Sequence, residues 1–330
     1  MQKSVIECDA DFRIESYNSA TCNLLKCDAR EMCGRCITTI MSPFIARLHE
    51  RYFEGLRKAP LETRRAVAER IARTMTKAST FVAYTSDNNP MLCSVSVLLK
   101  DDLRSTVTIQ RCTCNNSSVP ESFLSESSID DMIVRSYQNV TCVMMDLANS
   151  TAFCNRNDPA LVARMYYDIY KVVKRAVMMY YPFIYIHELL GDSIFLIVNA
   201  PFMIKTAITS SSNLAIEVCF TLQAQVNELF KGPKYADTDM HLRVGVARGD
   251  LAAGVFDATN FRVFGSAVNL SQRLEAECRR NEVNVQSTVA DELAYKDSHS
   301  ISTHSTHIKG FGEMCYAIIR TRKDCEGECR

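Results

Sequence analysis

The stretch HELLGDSIFLIV, His187 to Val198, lies in the most apolar part of the chain yet carries two carboxylates, Glu188 and Asp192. A bare carboxylate in apolar surroundings is costly unless it meets a cation, a donor or a metal. A third acid, Asp146, ends another apolar run, NVTCVMMDL. If the two runs are neighbouring strands, Asp146 and Asp192 reach the same end of one sheet. Paired strand-end carboxylates make a divalent-metal site, most naturally for Mg²⁺, which combines one or two carboxylates with substrate phosphate oxygens. Hard oxygen ligands point to phosphoryl chemistry. The same residues also suit a plainer role, Asp192 as a turn residue and Asp146 as a cap, and the pair alone does not choose between them.

The elements that must position these acids follow from periodicity. NVTCVMMDL reads as a buried strand, and NDPALVARMYYDIYKVVKRAVMMYY as a helix capped by Asn157 or Asp158 with Pro159 in its first turn. Val162, Met165, Ile169, Val172 and Ala176 form its apolar stripe. FIYIHELLGDSIFLIV predicts a hairpin turning at Leu190-Gly191-Asp192-Ser193, and a second long helix runs from about Asn213 to Phe230. Then come a strand LRVGVARG, a short LAAGVF, a helix AVNLSQRLEAECRR, and closing strands near VNVQS and MCYAIIR. The fold class is α+β: a ferredoxin-like βαββαβ pattern with additions, its helices on one face of a mostly antiparallel sheet. Upstream, the polar, Ser-rich text between Arg111 and Asn139 reads as a linker, which divides the chain into residues 1–112, 113–136 and 137–330. The first segment orders strands, helices, then a three-strand meander, STFVAYT, MLCSVSVLL and STVTIQRC.

Composition narrows the function classes. A 330-residue chain with 47% hydrophobic and 23% charged residues is that of a soluble globular protein. Lys plus Arg and Asp plus Glu both total 38, so no overall field recommends nucleic acid or an anionic membrane as partner. The 15 cysteines are odd in number and no signal peptide opens the chain, which points to reduced thiols in the cytoplasm, or in the cytosolic part of a longer membrane protein. The longest apolar run, Ala176 to Ile204, is broken too often for a membrane span.

VMMDLANST and LLGDSIF resemble the two metal motifs of class III nucleotidyl cyclases. The resemblance continues in order through RVGVARGDLAAGVF, FRVFGSAVNLSQRLE and IKGFGEM, from about Tyr137 to Ile319. It implies that Asp146 and Asp192 hold two Mg²⁺ or Mn²⁺ ions with the Leu147 carbonyl assisting. It further implies that Asn269 orients the ribose, Arg273 stabilises charge on the α-phosphate, and Lys309 grips the β and γ phosphates. In the family the metal acids come from one subunit and the Asn, Arg and Lys from the other, so a homodimer is implied. Glu188 matches the base-reading position at which Lys accompanies adenine and Glu accompanies guanine. Guanine presents N1–H and N2–H₂ donors that a carboxylate accepts together, whereas adenine presents an acceptor. Arg262 falls on the second base-reading position and departs from the family pattern, Asp with adenine and a small polar residue such as Cys with guanine; an Arg donates to guanine O6.

The implied function is a guanylate cyclase that converts GTP to cyclic GMP and pyrophosphate by attack of the ribose 3′-hydroxyl on the α-phosphate. The rival readings are an adenylyl cyclase acting on ATP, and a non-catalytic nucleotide-binding or dimerising module in which Glu188 and Arg262 pair and fill the pocket. Asn149 and Ser150 stand where family members often carry Gly-Phe.

Over Ser4 to Cys112, DADFRIESYNSATCNLLKCDAREMCGRCITTIM and YTSDNNPMLCSVSVLL resemble a PAS sensor domain, whose ligand the sequence does not name. His49 is expected as a surface helix residue rather than a haem ligand, CGRC as buried small residues, and His299, His304 and His307 as part of a loop. Phe123, Leu124, Ile129, Met132 and Ile133 of the linker are available to pack between protomers.

Overall fold

The computed structural model describes residues 3–28, 30–74, 79–112, 120, 133–204, 207, 209–235, 238–256, 261–294 and 299–321. The chain divides into two compact units, Met1–Asn116 with Met178–Pro182, and Ser117–Val177 with Phe183–Arg330. Most of the expected linker, including Phe123, Leu124, Ile129 and Met132, lies outside the described residues, and Ile133 already begins a strand.

In the first unit β1 (Ser4–Cys8), β2 (Ile14–Tyr17), α1 (Ser19–Leu25), α2 (Pro43–Lys58), α3 (Leu61–Thr74), β3 (Ser79–Tyr84), β4 (Pro90–Leu99) and β5 (Ser105–Arg111) follow one another. The strands form an antiparallel sheet in the order β2-β1-β5-β4-β3. Alternate residues Ile6 and Cys8, Cys93 and Val95, and Val107 and Ile109 share a core with Leu25, Phe53 and Leu56. Two helix starts are fixed by their caps: the Asn18 side chain accepts from the Thr21 amide, and Ser42, just before Pro43, accepts from the Ile45 amide. His49 is half-buried rather than a surface residue, donating from Nδ1 to the Ile45 carbonyl at 3.0 Å with its ring edge-on to Phe53. Cys33 is exposed and Cys36 half-buried, contrary to expectation, because CGRC is a turn through Gly34 at φ +78°.

The second unit comprises β6 (Ile133–Ala148), α4 (Ser150–Arg156), α5 (Pro159–Met178), β7 (Ile184–Leu190), β8 (Ser193–Val198), α6 (Ser211–Lys231), β9 (His241–Val255), β10 (Phe261–Gly265), α7 (Ser266–Ala276), β11 (Val283–Gln286), α8 (Ser287–Asp291), β12 (His299–Ile308) and β13 (Gly312–Thr321). Its sheet runs β12-β13-β11-β9-β6-β8-β7, with β10 paired to β9. The segment β9-β6-β8-β7 is the ferredoxin-like core, and LRVGVARG and LAAGVF prove to be one continuous strand, β9. Asp158, whose side chain accepts from the Ala160 amide at 2.8 Å, caps α5. The stripe of α5 buries Val173, four after Ile169, in place of the expected Val172.

The expected loop around His299, His304 and His307 is instead the edge strand β12, paired with β13 from His299↔Thr321 to Ile308↔Gly312. Its Ser and Thr content reflects solvent on an edge, while Ile301, Thr303, Thr306 and Ile308 supply β-branched residues. Among the described residues no helix is long and apolar enough to cross a membrane.

The helices do not all share one face of the sheet. Gly245, Ala247 and Gly249 of β9 are cross-strand partners of Met144, Cys142 and Val140, and this face receives α7. The opposite face, with Val143, Met145 and Leu147 beside Val246, Val244 and Leu242, is at most 1% exposed. At Gly245 an added Cβ would meet the Ser271 carbonyl oxygen at 1.9 Å and the Glu275 amide nitrogen at 2.3 Å, both backbone atoms that cannot swing away. Gly245→Ala is therefore expected to cost at least about 2 kcal/mol in urea unfolding followed by circular dichroism. Gly249→Ala, whose Cβ would lie 3.4 Å from that of Ala267, is expected to cost much less.

Candidate active site

Asp146 lies on the face of β6 that receives α7, directly across from Arg243 of β9. The Arg243 guanidinium donates through Nη2 to Asp146 Oδ2 and meets Glu275 Oε1 of α7 through Nε at 2.8 Å. Asp192 occupies the two-residue turn between β7 and β8, where Gly191 takes φ +60°, a conformation glycine adopts without strain. The turn is held from both sides: Ser150 Oγ donates to Asp192 Oδ2 at 2.5 Å, and the Tyr170 hydroxyl donates to the Gly191 carbonyl at 2.8 Å. Asn149 adopts φ +65°, which asparagine tolerates better than most residues, so the loop takes a glycine-like path with no glycine. Its Nδ2 donates to the Asp239 carbonyl at 2.9 Å.

Burial, with the Asp146 and Asp192 carboxylates nearby, pushes the Glu275 carboxyl up to about 7 against the pull of Arg243. Glu275 thus feels both acids, and the Arg243 guanidinium contacts two of the three carboxylates, Asp146 and Glu275. That surplus of negative charge on hard oxygen donors fits a divalent cation. Leu147 follows Asp146 with its side chain in the core, so it has only backbone to offer. No group of three or more His, Cys, Asp or Glu side chains among the described residues is arranged to hold a metal, so a site here rests on two Asp side chains and a carbonyl.

Glu188 and Arg262 meet at 3.4 Å with side chains 41% and 48% exposed. Such an open pair contributes about 1 kcal/mol at most and keeps most of its hydrogen-bonding capacity free for another molecule. Glu188 is aimed by a β-bulge: Ile186 faces Leu196 and Glu188 faces Phe195, leaving His187 as the extra residue. The His187 ring packs edge-on to Phe195 and Phe261, with centroids 5.1 and 5.7 Å away. Its buried Nδ1 has no hydrogen-bond partner, and burial lowers its pKa to about 4.

Asn269 and Arg273 stand exposed, one turn apart on α7, and Lys309 is exposed in the turn between β12 and β13. The fold thus brings Asp146 near Asp192 and Glu188 to Arg262, and leaves Asn269, Arg273 and Lys309 facing outward. A cavity of about 330 Å³ lies elsewhere, lined by residues including Asp291, His299 and Thr303. Arg243, Glu275 and Tyr170 are the participants that sequence reasoning missed, and the bond of Ser150 to Asp192 was not expected from its place in the loop. Of the three missed residues, Arg243 left a signal, as a charged residue interrupting an apolar strand.

The sequence matches the family model for the adenylate and guanylate cyclase catalytic domain over residues 132–320. The receptor-type guanylate cyclase gcy-13 of Caenorhabditis elegans is 26% identical over 183 residues, covering 54% of this chain and 17% of that protein. Guanylate cyclase 2G of Rattus norvegicus is 23% identical over 203 residues, covering 60% of this chain and 18% of that protein. The chain therefore spans under a fifth of the length of these curated relatives. Among solved structures, the adenylyl cyclase CyaB of P. aeruginosa superposes with a TM-score of 0.50 at 16% identity, covering 58% of this chain and 98% of that one, a likeness of fold.

The neutral, enclosed His187 makes stability depend on pH. Between its ordinary 6.5 and its folded value of about 4, the unfolded chain takes up a proton that the folded chain refuses, so stability falls as the pH drops through that window. Calorimetric melting across this range is expected to show the wild type losing roughly 2 to 3 kcal/mol more than His187→Phe.

Proposed function

The chain belongs to the family of adenylate and guanylate cyclase catalytic domains, and from that premise we propose that it converts GTP to cyclic GMP and pyrophosphate as a homodimer. The observation that carries the choice of GTP is the open Glu188–Arg262 pair. Guanine presents an acceptor at O6 beside donors at N1 and N2; a guanidinium beside a carboxylate presents the complementary donor and acceptors. Adenine would turn its N6 donor on Arg262 and its N1 acceptor on Glu188. Because the pair is solvated and weak, engaging it costs little, which favours a base reader over a plug.

In this reading Asn269 orients the ribose while the 3′-oxygen attacks the α-phosphorus and the bond to the β-phosphate oxygen breaks. Arg273 meets the charge that builds on the α-phosphate, and Lys309 holds the departing pyrophosphate. Asp146, Asp192 and the Leu147 carbonyl would hold two Mg²⁺ or Mn²⁺ ions, which would supply Lewis acidity for the reaction. The outward stance of Asn269, Arg273 and Lys309 supports a site completed by a second copy of the chain. The first unit, a five-stranded antiparallel sheet with helices between β2 and β3, supports a PAS-like sensor in residues 1–112, with residues 113–136 as its link to the catalytic unit.

The test is product formation by the purified chain from GTP and from ATP with Mn²⁺. Cyclic GMP is expected from GTP, falling roughly 100-fold or more in Asp192→Ala and at least about tenfold in Glu188→Lys. Cyclic AMP as the main product would overturn the base assignment, and no product from either nucleotide would overturn the enzyme.

A further inference from the structure

The proposed function reads a purine with Glu188 and Arg262 but assigns nothing to what holds the two at their spacing. They stand on strands that share no ladder: β7 pairs with β8, β10 pairs with β9, and β6 lies between those two pairs. Backbone register therefore does not fix the distance from Glu188 to Arg262. The half-exposed ion pair, at 3.4 Å, is too weak to fix it alone. The residues next to the two readers do touch. His187 precedes Glu188 and Phe261 precedes Arg262, and their rings meet edge-on with centroids 5.7 Å apart at 71°. The His187 ring is also edge-on to Phe195, at 5.1 Å and 80°, and two such contacts fix both the place and the tilt of a ring. Tyr185 reaches Phe261 as well, at 6.2 Å, but from the far side of the bulge.

We propose that His187 is a positioning residue for base selection: as the extra residue of the bulge it carries Glu188, and through Phe261 it ties that carboxylate to Arg262 at the spacing a guanine edge spans. The inference rests on the GTP reading given above. Shape carries the role, since Nδ1 is buried without a hydrogen-bond partner and the ring is held by its aromatic neighbours. Burial keeps the imidazole uncharged near pH 7; Glu188 favours its proton and Arg262 opposes it, so the ring stands within the field of both readers. A neutral ring suits the task, because an imidazolium would draw Glu188 away from Arg262 and from the base.

The test is kcat and KM of the purified full chain for GTP and for ATP with Mn²⁺, read as cyclic GMP and cyclic AMP. His187→Val, which removes the ring but keeps an apolar residue suited to a strand, is expected to raise KM for GTP roughly tenfold with a smaller change in kcat. Its preference for GTP over ATP is expected to fall by about the same factor. His187→Phe, which keeps the edge-on ring without its nitrogens, is expected to retain most of that preference. His187→Leu is expected to shift the preference in the same direction as His187→Val, and it serves as the reporter if the valine variant does not fold. A purely structural role would lower kcat for both nucleotides alike and leave their ratio unchanged. That result overturns the inference alone, as does an unchanged KM for GTP in the folded valine or leucine variant, or a loss of preference in His187→Phe as large as in His187→Val. A wild-type chain with no preference for GTP, or with no product, overturns the base reading and this inference with it.

Discussion

Helix α7 lies directly on strand β9 because Gly245 has no Cβ to hold it off. The helix backbone at Ser271 and Glu275 fills the space that any side chain would need, and this contact fixes the height and rotation of α7 over the sheet. Leu270 and Leu274 then point inward, and Asn269 and Arg273, on the other side of the same turns, point outward. Glu275 is left on the inner side, where its charge would be expensive but for Arg243 reaching up from the strand beneath. The close approach and the buried charge are thus one arrangement.

Around that joint, the second unit collects acids at one end of the sheet with few cations to match. Cross-strand register sets Asp146 against Arg243, while the hairpin turn and the Ser150 hydroxyl hold Asp192 in place. Two carboxylates sharing one guanidinium, with a third close by, is a poor way to stabilise a fold, because each buried or half-buried charge costs free energy that a single partner does not recover. In the proposed reading, such a cluster beside exposed Asn and Arg side chains is what a site for divalent cations and polyphosphate requires.

Much of this was legible in the sequence because the signals were local. The apolar run ending in Asp146, the Gly-Asp turn at Asp192, and the spacing of Asn269 and Arg273 each depend on residues within one element. The misses have a common cause, since they involve what a neighbouring element supplies. The polar text of His299 to Ile308 suggested a loop because nothing in it shows that β13 provides a full ladder of partners. The bulge at His187 carries no Gly or Pro to announce it, and follows from fitting β7 to β8 and its aromatic neighbours. Glu275 looked like one more acid in a charged helix until Gly245 turned its side inward.

The two acids of HELLGD end up in different environments, and the difference answers why an apolar segment carries them. Asp192 is placed by a turn, with a hydroxyl donor on its carboxylate. Glu188 is placed by a bulge at a solvated edge, with a guanidinium close enough to orient it and exposed enough to share it. A buried Glu–Arg pair would lose much when a ligand separated it, whereas a half-exposed one loses little and already presents an acceptor beside a donor. In the proposed reading, the exposure of the pair, more than its existence, is therefore what suits it to recognise a base: each partner steers the other, and neither is committed to it.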